Sequence, residues 1–214
     1  MLLGPENRVI LMSGLPASGK TTTAQRLHAS LGGVLIRQCD VYARLGIHLR
    51  DWVRKTGGFT RDVAAYERVR DAAYAAMLDE LRAGLASDAP RVLVDAVHGE
   101  TEKRRATYEV CRAYGVRPLV VWCRCDDPDE IRRRFAARVE RDDPEHEASD
   151  LSVDRHIRSL WQAPVCETLA DGTLVPVMVH DTSEEAWYGL APAARVSARR
   201  TACGTSRGTD RRRS

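Results

Sequence analysis

Gly14-Leu15-Pro16-Ala17-Ser18-Gly19-Lys20-Thr21 fits the pattern G-x-x-x-x-G-K-[ST] at every fixed position. Each fixed residue has its own task in such a loop. Gly14 and Gly19 let the backbone turn and bring its N–H groups against phosphate oxygens. Lys20 supplies a point charge for the β- and γ-phosphates, and the Thr21 hydroxyl suits Mg²⁺. Leu15, Pro16, Ala17, Ser18 and Thr22 complete the expected contacts to a nucleoside triphosphate.

The flanks agree with this reading. Arg8-Val9-Ile10-Leu11-Met12 is a short apolar run of the buried-strand type. Lys20 to Leu31 reads as a helix with Ala24, Leu27 and Leu31 on one face. The order strand, glycine-rich loop, helix aims a helix N-terminus at the bound anion.

Further strand-like runs follow at Val34–Arg37, Arg91–Asp95, Leu119–Cys123 and Leu174–Val179. Helical segments are expected near 20–31, 61–83, 101–114, 128–141 and 150–162. This alternation predicts a parallel sheet covered on both faces. Pro176 predicts an edge position for the last strand. In the second of these helices Tyr66, Val69, Ala73, Ala76, Met77 and Leu81 share a side, which is a core-packing pattern. Tyr42 to Thr60 has no clear period and reads as a mobile acceptor-side region with a short helix.

The 214 residues are enough for one domain with a substantial core. No apolar run reaches membrane-spanning length and no signal peptide is visible. The six cysteines are scattered without a C-x-x-C pair, so reduced thiols in a cytoplasmic protein are expected. Residues 195–214 hold seven Arg and one Asp, a charge of +6, which turns the net +3 of the chain into −3 for the rest. The body is therefore not of the basic, nucleic-acid-binding kind. The Arg-rich tail reads as disordered.

Four groups outside the loop carry candidate chemistry. Asp95 ends an inner strand, where an acid can hold Mg²⁺ directly or through water, or cap the next turn. Asp40 follows the second strand, where a carboxylate can accept the proton of an attacking hydroxyl, or serve as a helix cap. Arg44 lies one turn later and suits either an acceptor anion or a pair with Asp40. In Ile131 to Arg141, Arg134 and Arg138 form a stripe beside the apolar positions, as expected of a lid that clamps phosphate. His98 and Arg104, just past Asp95, are candidates for the acceptor pocket.

Together these residues resemble the predicted-kinase branch of the P-loop proteins. That AAA-type ATP-binding group includes polynucleotide kinases, zeta-toxin-like kinases and chloramphenicol phosphotransferase-like enzymes. The resemblance rests on Gly14–Thr22, Asp40, Val94-Asp95-Ala96, a basic helix at 101–114, Arg134 and Arg138, and Val175–Val179 followed by Asp181-Thr182. It implies a three-layer α/β/α sandwich with a five-stranded parallel sheet, a kinase domain over residues 1–182 and a lid near 132–152. It also implies ATP and Mg²⁺ as cofactors and transfer of a γ-phosphoryl group to a hydroxyl. Residues 183–214 fall outside it as a C-terminal extension. A small-molecule acceptor is the favoured expectation. The alternatives are a polynucleotide or RNA kinase with the tail as docking element, and an ATP-hydrolysing switch.

Overall fold

A computed structural model describes residues 7–47, 62–140 and 151–190. The strands are β1 (Val9–Ser13), β2 (Val34–Arg37), β3 (Val92–Asp95), β4 (Pro118–Arg124), β5 (Val177–Asp181) and β6 (Ala186–Leu190). The helices are α1 (Lys20–Leu31), α2 (Gln38–Arg44), α3 (Val63–Ala86), α4 (Thr101–Ala113), α5 (Pro128–Glu140) and α6 (Leu151–Ser159).

The strand order is β2-β3-β1-β4-β5-β6. The first five strands run parallel, and β6 returns antiparallel to β5. All five residues of β1 are buried, because a central parallel strand is covered on both faces. Its alternate side chains serve different layers. Val9 and Leu11 join Ala73, Met77 and Leu81 of α3 and Tyr108 and Cys111 of α4. Ile10 and Met12 join Ala24 and Leu27 of α1. This is the three-layer P-loop sandwich.

Two expectations are corrected at the end of the sheet. The sheet has six strands rather than five, and β6 lies in the stretch assigned to the extension. β5 is consequently an inner strand, paired on both sides. Pro176 stands just before β5, where its missing N–H costs no ladder bond, and its carbonyl still accepts from Val120. In the hairpin, His180 and Trp187 lie opposite each other and stack with centroids 4.1 Å apart.

Cys39, Cys111, Cys123, Cys125 and Cys166 form no disulfide. No helix among the described residues is long and apolar enough to cross a membrane. Residues 48–60 of the acceptor-side region, residues 141–150 of the expected lid and the Arg-rich tail lie outside the described residues.

Candidate active site

The glycine-rich loop runs from the end of β1 into α1. A Cβ on Gly14 would stand 2.5 Å from the Cys123 carbonyl oxygen and 2.6 Å from Ser18 Oγ, so only glycine fits there. Gly19 is left-handed at φ 82°, and a side chain on it would also strike Thr182 at 2.9 Å. The loop closes on itself through Ser18 N–H donating to the Leu15 carbonyl.

Lys20 is buried, and its Nζ donates to the Leu15 carbonyl at 2.9 Å. Burial lowers its pKa to about 8. The charge of Asp95 opposes the shift, and that of Arg138 reinforces it. Asp154 also raises it, so this acid of α6 stands within electrostatic reach of Lys20. Asp154 is buried, accepts at Oδ2 from Arg158 Nε at 2.6 Å, and has no partner for Oδ1 among the described residues. Sequence reading missed it, since a lone Asp in a helix carries no spacing signal.

Asp95 is buried at the C-terminal end of β3, opposite Arg37 in the sheet register. Asp40 stands in the first turn of α2, half-exposed, with Arg37 Nη1 at 3.6 Å. Thr21 and Thr22 line a cleft of about 450 Å³ together with Gly19, Arg134, Arg138 and Thr182.

Arg134 is a fixed link in this structure. It donates from Nη1 to the Ala17 carbonyl at 3.0 Å and to Thr182 Oγ1 at 2.8 Å, and from Nη2 to the Thr182 carbonyl at 2.9 Å. Glu130 holds its Nε at 2.6 Å. The lid helix is thereby joined to both the phosphate loop and the turn after β5. Thr182 completes the junction by donating to the Ser18 carbonyl. Arg138 is half-buried, with its guanidinium 5.7 Å from the Phe135 ring centroid.

Three residues expected on the acceptor side have protein partners in the structure. Arg44 pairs with Glu80 of α3 at 2.5 Å, because the exposed face of α2 turns toward that helix. Arg104 is fully buried, and Glu167 holds it through Nε and Nη2 at 2.5–3.1 Å. Its Nη1 donates to the His98 carbonyl at 2.6 Å. His98 is 1 % exposed; its Nδ1 donates to the Met12 carbonyl, and its N–H donates to Tyr74 Oη. Burial lowers its pKa to about 3, with Arg104 acting in the same direction. Both residues brace the loop after β3.

Among the described residues no group of three or more His, Cys, Asp or Glu forms a metal cluster. Mg²⁺ takes few protein ligands and relies on substrate phosphates and water. Thr21 and Asp95 supply oxygen donors of the right kind.

This strand order with a glycine-rich loop after the central strand defines the class as a P-loop protein of kinase-type architecture. A family model described as an AAA domain matches residues 9–163, and the chain belongs to that family. No curated protein sequence matches the chain. Among solved structures, one similar protein comes from Chloroflexus aurantiacus and carries a provisional kinase assignment. It is 19% identical at a TM-score of 0.57, over 85% of this chain and 92% of its own. Kti12 from Chaetomium thermophilum, in complex with ADP-AlF3, is 20% identical at a TM-score of 0.57, over 83% of this chain and 93% of its own. At these identities the likeness is one of fold.

Proposed function

We propose that the chain is an ATP-dependent kinase that transfers the γ-phosphoryl group to a hydroxyl of a small-molecule acceptor. The observation that carries this reading is the placement of Lys20. It is buried at the base of a complete phosphate loop, within electrostatic reach of Asp95 and Arg138. The Kti12 complex with ADP-AlF3 supports a nucleotide as donor in this fold.

In this reading the loop amides and Lys20 hold the β- and γ-phosphates, and Arg134 and Arg138 neutralise charge from the lid side. Thr21, with Asp95 acting through water, would hold Mg²⁺, which when bound neutralises charge on the phosphate oxygens. Asp40 orients the acceptor hydroxyl and takes its proton. The acceptor oxygen bonds to the γ-phosphorus, the bond from that phosphorus to the β–γ bridging oxygen breaks, and ADP leaves. Little covalent work falls to the protein, so positioning and electrostatics supply the rate.

The test uses labelled ATP with Mg²⁺ and a panel of hydroxyl acceptors. Asp40→Asn should lower transfer about 10²–10⁴-fold and leave ATP binding unchanged. Equal transfer by Asp40→Asn overturns the role of Asp40. Hydrolysis with no transfer to any acceptor favours a switch instead.

A further inference from the structure

The end of β5 meets the phosphate loop at two points. Thr182 donates to the Ser18 carbonyl. The second contact is a relay. Thr23 Oγ1, in the first turn of α1, donates to the Gly19 carbonyl at 3.0 Å and lies 2.9 Å from His180 Nδ1. We infer that His180 is a positioning residue for the donor nucleotide. Through Thr23 it steadies the phosphate loop, and on taking a proton it draws Glu185 toward itself and loosens that acid's hold on Arg26 in the donor cleft. The inference rests on the donor half of the kinase reading and adds a control to it.

The relay fixes the tautomer. A threonine hydroxyl has one hydrogen, and Gly19 receives it. Thr23 Oγ1 therefore accepts from His180, which places the imidazole hydrogen on Nδ1. Nε2 is left as a bare acceptor. It is buried and has no hydrogen-bond partner among the described residues. Glu185 Oε2 stands 3.6 Å from it, too far for a hydrogen bond and of the wrong sign for a lone pair. One proton on Nε2 turns this contact into an ion pair.

The sheet holds the ring in place. Its plane lies 6° from that of Trp187, which is opposite it on β6. An indole face favours a cation over it. Cys123 of β4 stands opposite on the other side, and burial pushes its thiol up to about 12, so it stays neutral. Asp181, next along β5, accepts from the Ser183 N–H and hydroxyl. Burial lowers the pKa of His180; Glu185 opposes that shift, Arg26 of α1 reinforces it, and Asp181 opposes it. The proton therefore arrives below the ordinary 6.5.

The same groups face the nucleotide. His180, Glu185 and Arg26 line the donor cleft together with Gly19, Thr21 and Thr22. Arg26 Nη1 holds both Glu185 oxygens, at 2.9 and 3.1 Å. A move of about 0.8 Å brings Glu185 Oε2 into a charge-assisted hydrogen bond with protonated Nε2. Arg26 then keeps at most Oε1, and its remaining donors are open to an anion. The cleft also gains one positive charge. Both changes favour a nucleoside triphosphate.

Calorimetry of AMPPNP with Mg²⁺ on the full chain, at pH 7.5, 6.5 and 5.5, tests the inference. Each variant is compared with the parent at the same pH, so titration of the ligand and of Lys20 is common to both. His180→Asn keeps a donor near the Nδ1 position and cannot take the proton. It should bind like the parent at pH 7.5 and about two- to fivefold more weakly at pH 5.5. Glu185→Gln, at an exposed position, frees Arg26 at every pH. It should bind about two- to fivefold more tightly than the parent at pH 7.5 and lose most of the acid rise. Thr23→Val should weaken binding about fivefold at all three pH values. Thermal unfolding of each variant at the same pH reads the purely structural loss. Parallel pH profiles for the parent and His180→Asn overturn the inference, and so does a Glu185→Gln chain with the parent's profile. A Thr23→Val chain with lowered Tm and undiminished affinity overturns the relay. AMPPNP bound with parallel profiles ends this inference and leaves the kinase reading standing. No AMPPNP bound by the parent at any pH ends both.

Discussion

His98 Nδ1 donates to the Met12 carbonyl at 2.9 Å, and this bond fastens the loop after β3 to the strand that enters the phosphate loop. Two more bonds run the same way: Ser13 Oγ donates to the His98 carbonyl, and Gly14 N–H donates to the Val97 carbonyl. The first glycine of the phosphate loop is thus set by the strand that carries Asp95. His98 sits at φ 41°, a left-handed conformation that a histidine adopts at some cost, held by these contacts.

Replacement of His98 should therefore act on stability before it acts on an acceptor. His98→Leu strands the buried Met12 carbonyl and should cost about 1–3 kcal/mol, or about 2–4 °C of Tm per kcal/mol in a chain of this size. His98→Asn should cost less, since Asn tolerates left-handed backbone. Thermal unfolding with parallel acceptor KM values checks this. A shift in KM with no change in Tm would contradict it.

The same residue gives an acid limb. Its folded pKa is lowered to about 3 from the ordinary 6.5. The fold keeps it neutral while the unfolded chain protonates it, so unfolding takes up a proton between those values. Its contribution is complete above about pH 6.5 and is lost as pH falls toward 3. Denaturant unfolding from pH 7 to 4 should show a shallower decline in His98→Leu than in the parent.

Lys20 should impose an alkaline limb on nucleotide binding. Its ammonium is needed for phosphate, and burial has lowered its pKa to about 8. Affinity for ATP should fall as pH rises from 7 to 9.5, and binding above pH 8 should take up a proton. Calorimetry in buffers of different ionisation enthalpy reads that uptake directly. Equal affinity across the range would contradict the assignment.

Arg134 and Thr182 should behave as one unit. Arg134→Ala and Thr182→Val each break the junction between the lid helix, the phosphate loop and the turn after β5. The double variant should lose less than the sum of the singles, by about 0.5–3 kcal/mol. A double-mutant cycle on ATP affinity measures the coupling. Additive losses would show that the two act separately.

Arg104 and Glu167 form a pair with side chains 0% and 10% exposed. Arg104→Ala leaves Glu167 and Tyr108 Oη facing each other at 2.7 Å without the guanidinium. Breaking such a pair should destabilise by roughly 3–5 kcal/mol. Unfolding checks this, and a stable variant with altered acceptor KM would restore the acceptor role to Arg104.

The phosphate loop and its flanks were legible because they form a local pattern. Gly14 to Thr21 are consecutive, and both flanks have clear periods. The five parallel strands follow from apolar runs that a doubly covered sheet requires. Other features depend on partners far away in sequence. Arg104 looks like a surface cation until Glu167, sixty-three residues later, is placed against it. Arg134 looks like a mobile lid group until Thr182 meets it. Thr23 and His180 lie on different elements, with no spacing to announce a shared hydrogen bond. β6 was missed because Ala186–Leu190 has little apolar alternation. Its register comes from pairing with β5 and from the His180–Trp187 stack.

The most direct measurement is transfer of labelled γ-phosphate from ATP in the presence of Mg²⁺ to a panel of hydroxyl acceptors, by the parent chain and by Lys20→Ala. The expected result is a phosphorylated acceptor with the parent chain and a loss of about 10²-fold or more with Lys20→Ala, while the variant unfolds at a similar temperature. Transfer undiminished in Lys20→Ala would contradict the assignment of the phosphate loop as the donor site.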